Sequence, residues 1–167
     1  MNDAGDYYRD NAGRQWWLVI ALLLVATVAV LDRSILSLLA DPIKRELKLS
    51  DTQIALVFGL SFSVANVLFT LPAGYMADRI SRRGIIAVGC VVWSLMTGVC
   101  GLSATYAQLL FARSGVGFAE AVIHPCSFAI LRGALAPERR GRGFAIYGAS
   151  LMLGSAFGFL FGGKLIK

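Results

Sequence analysis

The chain has 167 residues, of which 57% are hydrophobic and 16% charged, with a net charge of +6 and a mean hydropathy of +0.68. A soluble domain carries about 25% charged residues, so this one has too little charge to cover itself in water. Its basic surplus falls in short connections between long apolar runs, which argues against a nucleic-acid partner and for an all-α integral membrane protein.

Residues 1–15 are polar and read as a cytoplasmic tail. Asp3, Asp6 and Asp10 outweigh Arg9 and Arg14 there, which is wrong for the basic leader of a signal peptide. The following apolar run is therefore expected to stay as a first span, about 16–40. It opens on Trp16 and Trp17, suited to a membrane interface. Asp32-Arg33-Ser34 interrupts it, and Asp41-Pro42 predicts its end, because a residue preceding proline is biased out of the helical region.

Ser50 and Gln53 have capping-box spacing. They precede a second span, about 54–76, in which Pro72 removes a backbone hydrogen bond. A basic turn leads to the third span, about 84–102. An uncharged turn then leads to the fourth, about 107–135. The basic stretch 137–142 precedes a fifth span, about 143–167, where Gly154, Gly158 and Gly162 recur every fourth residue and let helix backbones approach closely.

Loop charges fix a direction. With the N-terminus inside, Arg9, Arg14, Arg79, Arg82, Arg83, Arg132, Arg139, Arg140 and Arg142 are cytoplasmic. Lys44, Arg45, Lys48, Lys164 and Lys167 are outside, so nine face five. That favours a cytoplasmic N-terminus in a plasma (inner) membrane protein. The stretch 139–142 is read as an orientation signal or lipid contact rather than a substrate site.

The fourth span is the unusual one. On a continuous helix Arg113, Gly117, Glu120 and His124 fall within about 60° of one another. Each intramembrane charge costs about 2.5–3.5 kcal/mol on insertion scales, so such a stripe points to a polar pathway or to opposite charges nearby. Asp32 lies 16 residues past Trp16, about 24 Å along its helix, and Arg113 about 9 Å down from the other side. The two are expected at similar depth and to pair. Arg33, about 100° around from Asp32, cannot share its face; Glu120 is expected to stand apart as the proton carrier. The weaker alternatives are a static Asp32–Arg113 pair and a purely structural Glu120. His124 is the weakest member of the stripe, and for it a helix-to-helix hydrogen bond is the favoured reading over a pathway role.

No nucleophile–base pair and no metal-ligand spacing is present, so neither enzyme chemistry, a metal nor a cofactor is expected. Cys90, Cys100 and Cys126 lie inside apolar runs as small hydrophobes.

The segment Gly74-Tyr75-Met76-Ala77-Asp78-Arg79-Ile80-Ser81-Arg82-Arg83 resembles the loop signature of the major facilitator superfamily, with Ser81 at the usual glycine. Leu31-Asp32-Arg33, the run from Arg113 to Ala121 and Pro137-Glu138-Arg139-Arg140 are similar to Spinster-like members, although Ala119 replaces a glycine before Glu120. The glycines of the fifth span resemble an antiporter motif whose proline is here Phe159.

The resemblance implies five transmembrane helices of the N-terminal six-helix half of a two-half, alternating-access transporter. The sixth span and the C-terminal half, its implied partner, would be missing. It further implies a small organic or amphipathic solute, protons as the coupling ion, and a pathway through Asp32, Arg33, Arg113, Glu120 and His124. Gly74, Asp78, Arg79, Arg82 and Arg83 would form a conformational latch. The alternative from another class is a five-span interaction or regulatory subunit that uses an exposed glycine face to bind another protein.

Overall fold

The structure is a computed structural model. It describes residues 12–165, apart from the side chains at 78 and 163–165. The first eleven residues of the expected tail thus lie outside the described residues, as does the side chain of Asp78.

The elements are α1 (Ala12–Glu46), α2 (Asp51–Ala55), a π-helical segment (Leu56–Ser61), α3 (Phe62–Arg79), α4 (Arg82–Gly101), α5 (Tyr106–Glu120), α6 (Ile123–Ala134), α7 (Pro137–Gly148) and α8 (Ser150–Leu165). They join into five helical rods, each long and apolar enough to cross a bilayer: α1, then α2 through α3, α4, α5 with α6, and α7 with α8. These rods are called the first to fifth spans below.

Local chemistry accounts for the starts. The Ser50 hydroxyl accepts from the Gln53 N–H at 3.2 Å, and the Gln53 side chain accepts from the Ser50 N–H at 2.9 Å. This reciprocal box opens the second span. Lys44 also pairs with Asp51 across the connection. Thr105 caps α5 through the Gln108 N–H at 3.3 Å. Pro137 begins α7, where its missing N–H costs nothing.

The first helix does not end at Asp41-Pro42 as the proline predicts. Pro42 removes only one donor, and α1 continues past it to Glu46. It stops where Lys48 turns left-handed, with φ 50°. The Leu49 N–H then reaches back to the Lys44 carbonyl at 2.9 Å, closing the last turn.

The other departure lies in the fourth span, which is not one continuous helix. It breaks at 121–122, four residues before Pro125 would have donated to the Ala121 carbonyl. Pro125 instead occupies the first turn of α6, where the missing N–H is tolerated.

The first span packs along the fifth, the third along the fourth, and the second along the fourth. Two apolar cores result. One gathers Leu49, Val57, Phe62, Trp93, Leu109 and Val116; the other gathers Val19, Leu22, Ile85, Leu131, Leu135 and Tyr147. Ala119 and Ile123 belong to the first core, while Val122 and Cys126 join the second. Glu120 therefore sits where the two cores meet.

Candidate functional site

The first and fourth spans bring Asp32, Arg33, Arg113 and Glu120 together. Arg113 is 2% exposed and Glu120 1% exposed, which is unusually deep for residues that are almost never buried unless paired. The two ion pairs they form differ in kind.

Arg33 donates to Glu120 Oε2 from Nε at 2.8 Å and from Nη2 as well. Both donors fall on one oxygen, and Glu120 Oε1 has no hydrogen-bond partner among the described residues. Arg33 is part-open, its side chain 37% exposed, so the pair has one open and one buried end. Arg113 Nη1 stands 3.7 Å from Asp32 Oδ2. That is an ion pair by charge but too long for a hydrogen bond. Accordingly Asp32 Oδ2, Arg113 Nε and Arg113 Nη1 lack hydrogen-bond partners among the described residues.

Glu120 thus stands apart from the Asp32–Arg113 pair but is itself paired, with Arg33. The 100° between Asp32 and Arg33 separates their faces, as geometry requires. The long arginine side chain then crosses to the fourth span and claims the second carboxylate.

Aromatic side chains pack around these charges. The Arg33 guanidinium lies 4.8 Å and that of Arg113 5.1 Å from the centre of the Phe62 ring. Phe58 stands 5.8 Å from Arg113. Trp93 and Thr97 of the third span are buried or half-buried, with their polar atoms unpartnered among the described residues. None of these was singled out from sequence. Phe58 and Phe62 share helical i, i+4 spacing, which was the available signal. The π-helical segment ending beside Phe62 left none.

Gly117 serves contact rather than a pathway. A Cβ there would meet the Phe62 carbonyl oxygen at 2.5 Å, and Asn66 donates to the Gly117 carbonyl at 3.1 Å. His124 lies just past the helix break, within electrostatic range of Arg33. Its Nδ1 lies 2.9 Å from the Tyr147 hydroxyl of the fifth span.

At the turn between the second and third spans, Arg82 donates to the carbonyls of Ala77 at 2.9 Å and Ala129 at 3.3 Å, tying the turn to the fourth span. Arg79 lies over the Tyr75 ring at 4.4 Å, and Arg83 is exposed. A Cβ on Gly74 would meet nothing within 4 Å, so nothing among the described contacts of these spans demands glycine there.

Gly154, Gly158 and Gly162 face the first helix at Thr27 and Val30, at Ser34, and at Leu38. That glycine face is occupied, so it is not the free surface an interaction subunit would need.

An apolar groove of about 400 Å³ lies elsewhere, between the second, third and fourth spans, lined by residues such as Phe69, Met76, Val88 and Phe118; among the described residues no ionisable one lines it. Among the described residues no cluster of His, Cys, Asp and Glu could hold a metal ion.

Spanning helices with a buried, mutually compensating charge cluster between the first and fourth define an integral membrane protein. Residues 22–167 match the Major Facilitator Superfamily, and the chain belongs to that family. It is similar to an MFS-type efflux pump of Mycolicibacterium smegmatis, 34% identical over 95% of this chain and 37% of the pump. It is also similar to a probable L-galactonate transporter of Escherichia coli, 31% identical over 83% of this chain and 30% of the transporter. Among solved structures it resembles a bacterial homologue of the human lysosomal transporter Spinster. The inward-facing, unoccupied form gives a TM-score of 0.87 at 34% identity, over 90% of this chain and 32% of that one. The chain thus spans about a third of the length of these relatives.

Proposed function

We propose that these five spans form part of the N-terminal half of a proton-coupled, alternating-access transporter for a small organic solute, with Glu120 as the proton-binding group. The observation that carries this reading is the geometry of Glu120. Its carboxylate is buried where the two cores meet, it is held on one oxygen by a part-open arginine, and its other oxygen is unpartnered among the described residues. A carboxylate so placed can exchange its arginine for a proton, and a part-open arginine so released can meet an anionic group of a solute. The Asp32–Arg113 pair lies deeper in protein and supports the site from behind.

The solute class draws on the relatives. Those named for galactonate and for hexuronate are transporters of small acidic sugars, while others are named for efflux and for puromycin resistance. A small organic solute is the reading common to them. The basic turn of Arg79, Arg82 and Arg83, with Gly74 and Asp78, is proposed as a latch whose contacts change between states. The N-terminus is proposed to be cytoplasmic, from the loop charges.

The test is solute uptake into proteoliposomes by the complete two-half transporter under an imposed pH gradient. Glu120→Gln removes the titrating proton while keeping the shape. It is expected to abolish the response to the gradient with normal insertion in the membrane. A Glu120→Gln protein that keeps the wild-type pH dependence overturns the assignment.

A further inference from the structure

We propose that Phe62 is a positioning residue that couples the two ion pairs. Its ring, in contact with the guanidinium groups of both Arg33 and Arg113, transmits a change at Glu120 to the Asp32–Arg113 pair. The inference deepens the reading above and rests on Glu120 as the group that takes up the proton.

Three observations place Phe62 in this role. The first is the shared ring. Guanidinium carbons 4.8 Å and 5.1 Å from one ring centre both lie inside the range at which a cation is drawn to an aromatic face. The ring is buried, at 9% exposure, which strengthens that attraction by excluding water. One ring serving two cations ties their positions together: a guanidinium that leaves the ring frees its electron-rich surface for the other.

The second observation is how firmly the ring is placed. The Phe62 backbone lies against the bare Cα of Gly117, and one helical turn later Asn66 bonds the Gly117 carbonyl. The second and fourth spans are thus locked at this level, so the ring is a fixed post between two long, flexible side chains.

The third is the backbone just before it. Leu56–Ser61 is π-helical, and Phe62 is the first residue of the α-helix that follows. Such wide turns are rare and cluster at functional positions. Here the segment ends where Phe58 and Phe62 both face Arg113.

The sequence of events follows from the geometry. While Glu120 is charged, Arg33 is held by two hydrogen bonds to Oε2 and by the ring. When Glu120 is protonated, the hydrogen bonds weaken and the ring alone retains Arg33. If solute or movement draws Arg33 away, Arg113 gains the ring and can reorient toward or away from Asp32, whose separation of 3.7 Å leaves that pair free of a fixed hydrogen bond. The charged or titratable groups around Glu120 are Asp32 and Arg33 from the first span, Arg113 and His124 from its own span, and Tyr147 of the fifth span through His124.

The test reads protonation directly and does not depend on transport. The protonated-carboxyl infrared band of Glu120, assigned by its loss in Glu120→Gln, is titrated with pH in the complete protein in lipid nanodiscs. Pentafluorophenylalanine at position 62 keeps the ring's shape and reverses its polarity. It is expected to move the titration midpoint toward higher pH by about one unit, since Arg33 then holds the carboxylate less firmly.

Phe62→Tyr keeps an electron-rich ring and is expected to leave the midpoint near wild type. Phe62→Leu is expected to behave like the fluorinated protein, and thermal unfolding of each variant checks its fold. A ring that serves packing alone would lower stability in Phe62→Leu and leave both midpoints unmoved, which overturns the inference. If Glu120 titrates but transport ignores the proton gradient, the transport reading fails and the coupling through Phe62 stands. If Glu120 does not titrate at all, both fall.

Discussion

The first helix has two working faces, and they hold their neighbours by opposite means. Toward the fourth span it offers Asp32 and Arg33, and the seam is made of charges with defined partners. Toward the fifth span it offers Thr27, Val30, Ser34 and Leu38. There the seam is made of shape, with glycine Cα atoms pressed against side chains and the backbone carbonyls of Thr27 and Leu31. A charged seam can be rewritten by one proton or one anionic solute, because each partner can be exchanged for another. A close-packed seam has nothing to exchange, and packed interiors resist gradual deformation. One helix can therefore belong to a rigid pair and to a switchable one at the same time.

The comparison is broken most forcefully at its buried charge. Asp32→Asn changes almost no volume but leaves the Arg113 guanidinium, 2% exposed, without its counter-charge. Removing one partner of a buried pair costs about 3–5 kcal/mol. Unfolding in detergent should show a loss of that size, and adding Arg113→Leu should restore most of it. If Asp32→Asn unfolds at the wild-type midpoint, charge does not hold this seam.

The glycine seam should respond to size instead. A Cβ at Gly154 meets the Thr27 carbonyl oxygen at 2.6 Å and Val30 Cβ at 2.5 Å, neither of which is the far end of a flexible side chain. Gly154→Ala should destabilise by about 1–3 kcal/mol, the usual cost of overpacking. Gly98→Ala, where an added Cβ meets nothing within 4 Å, should be neutral or slightly stabilising on helix propensity. The same unfolding measurement checks both. Equal effects at the two positions would mean that propensity, not packing, governs the seam.

Much of this was legible in the sequence because the bilayer imposes simple rules. Apolar length located five spans, a four-residue glycine repeat located the face that meets the first helix, and a depth estimate brought Asp32 beside Arg113. Local exceptions were not legible. A proline signals a possible break without saying whether the chain takes it: Pro42 is absorbed within α1, whereas the fourth span breaks ahead of Pro125. The angle between Asp32 and Arg33 is consistent with their different partners, yet it was silent on how far an arginine reaches, so it did not say which carboxylate Arg33 would meet. The π-helical turn and the two-sided use of Phe62 depend on tertiary packing and carry no signature of their own.

The smallest effect belongs to His124, and it decides on which side of the comparison that residue falls. His124 lies past the break at 121–122, within electrostatic range of Arg33, and its hydrogen bond runs to Tyr147, itself 2% exposed, in the fifth span. His124→Phe should cost about 1 kcal/mol, the net worth of a hydrogen bond together with the discomfort of an unpartnered buried hydroxyl. Tyr147→Phe added to His124→Phe removes that orphaned hydroxyl and should recover part of the loss, so the two substitutions are non-additive in a double-mutant cycle. Additive losses would show that the two side chains do not depend on each other. Coupled losses would place His124 with the elements that bind the fourth span to the fifth.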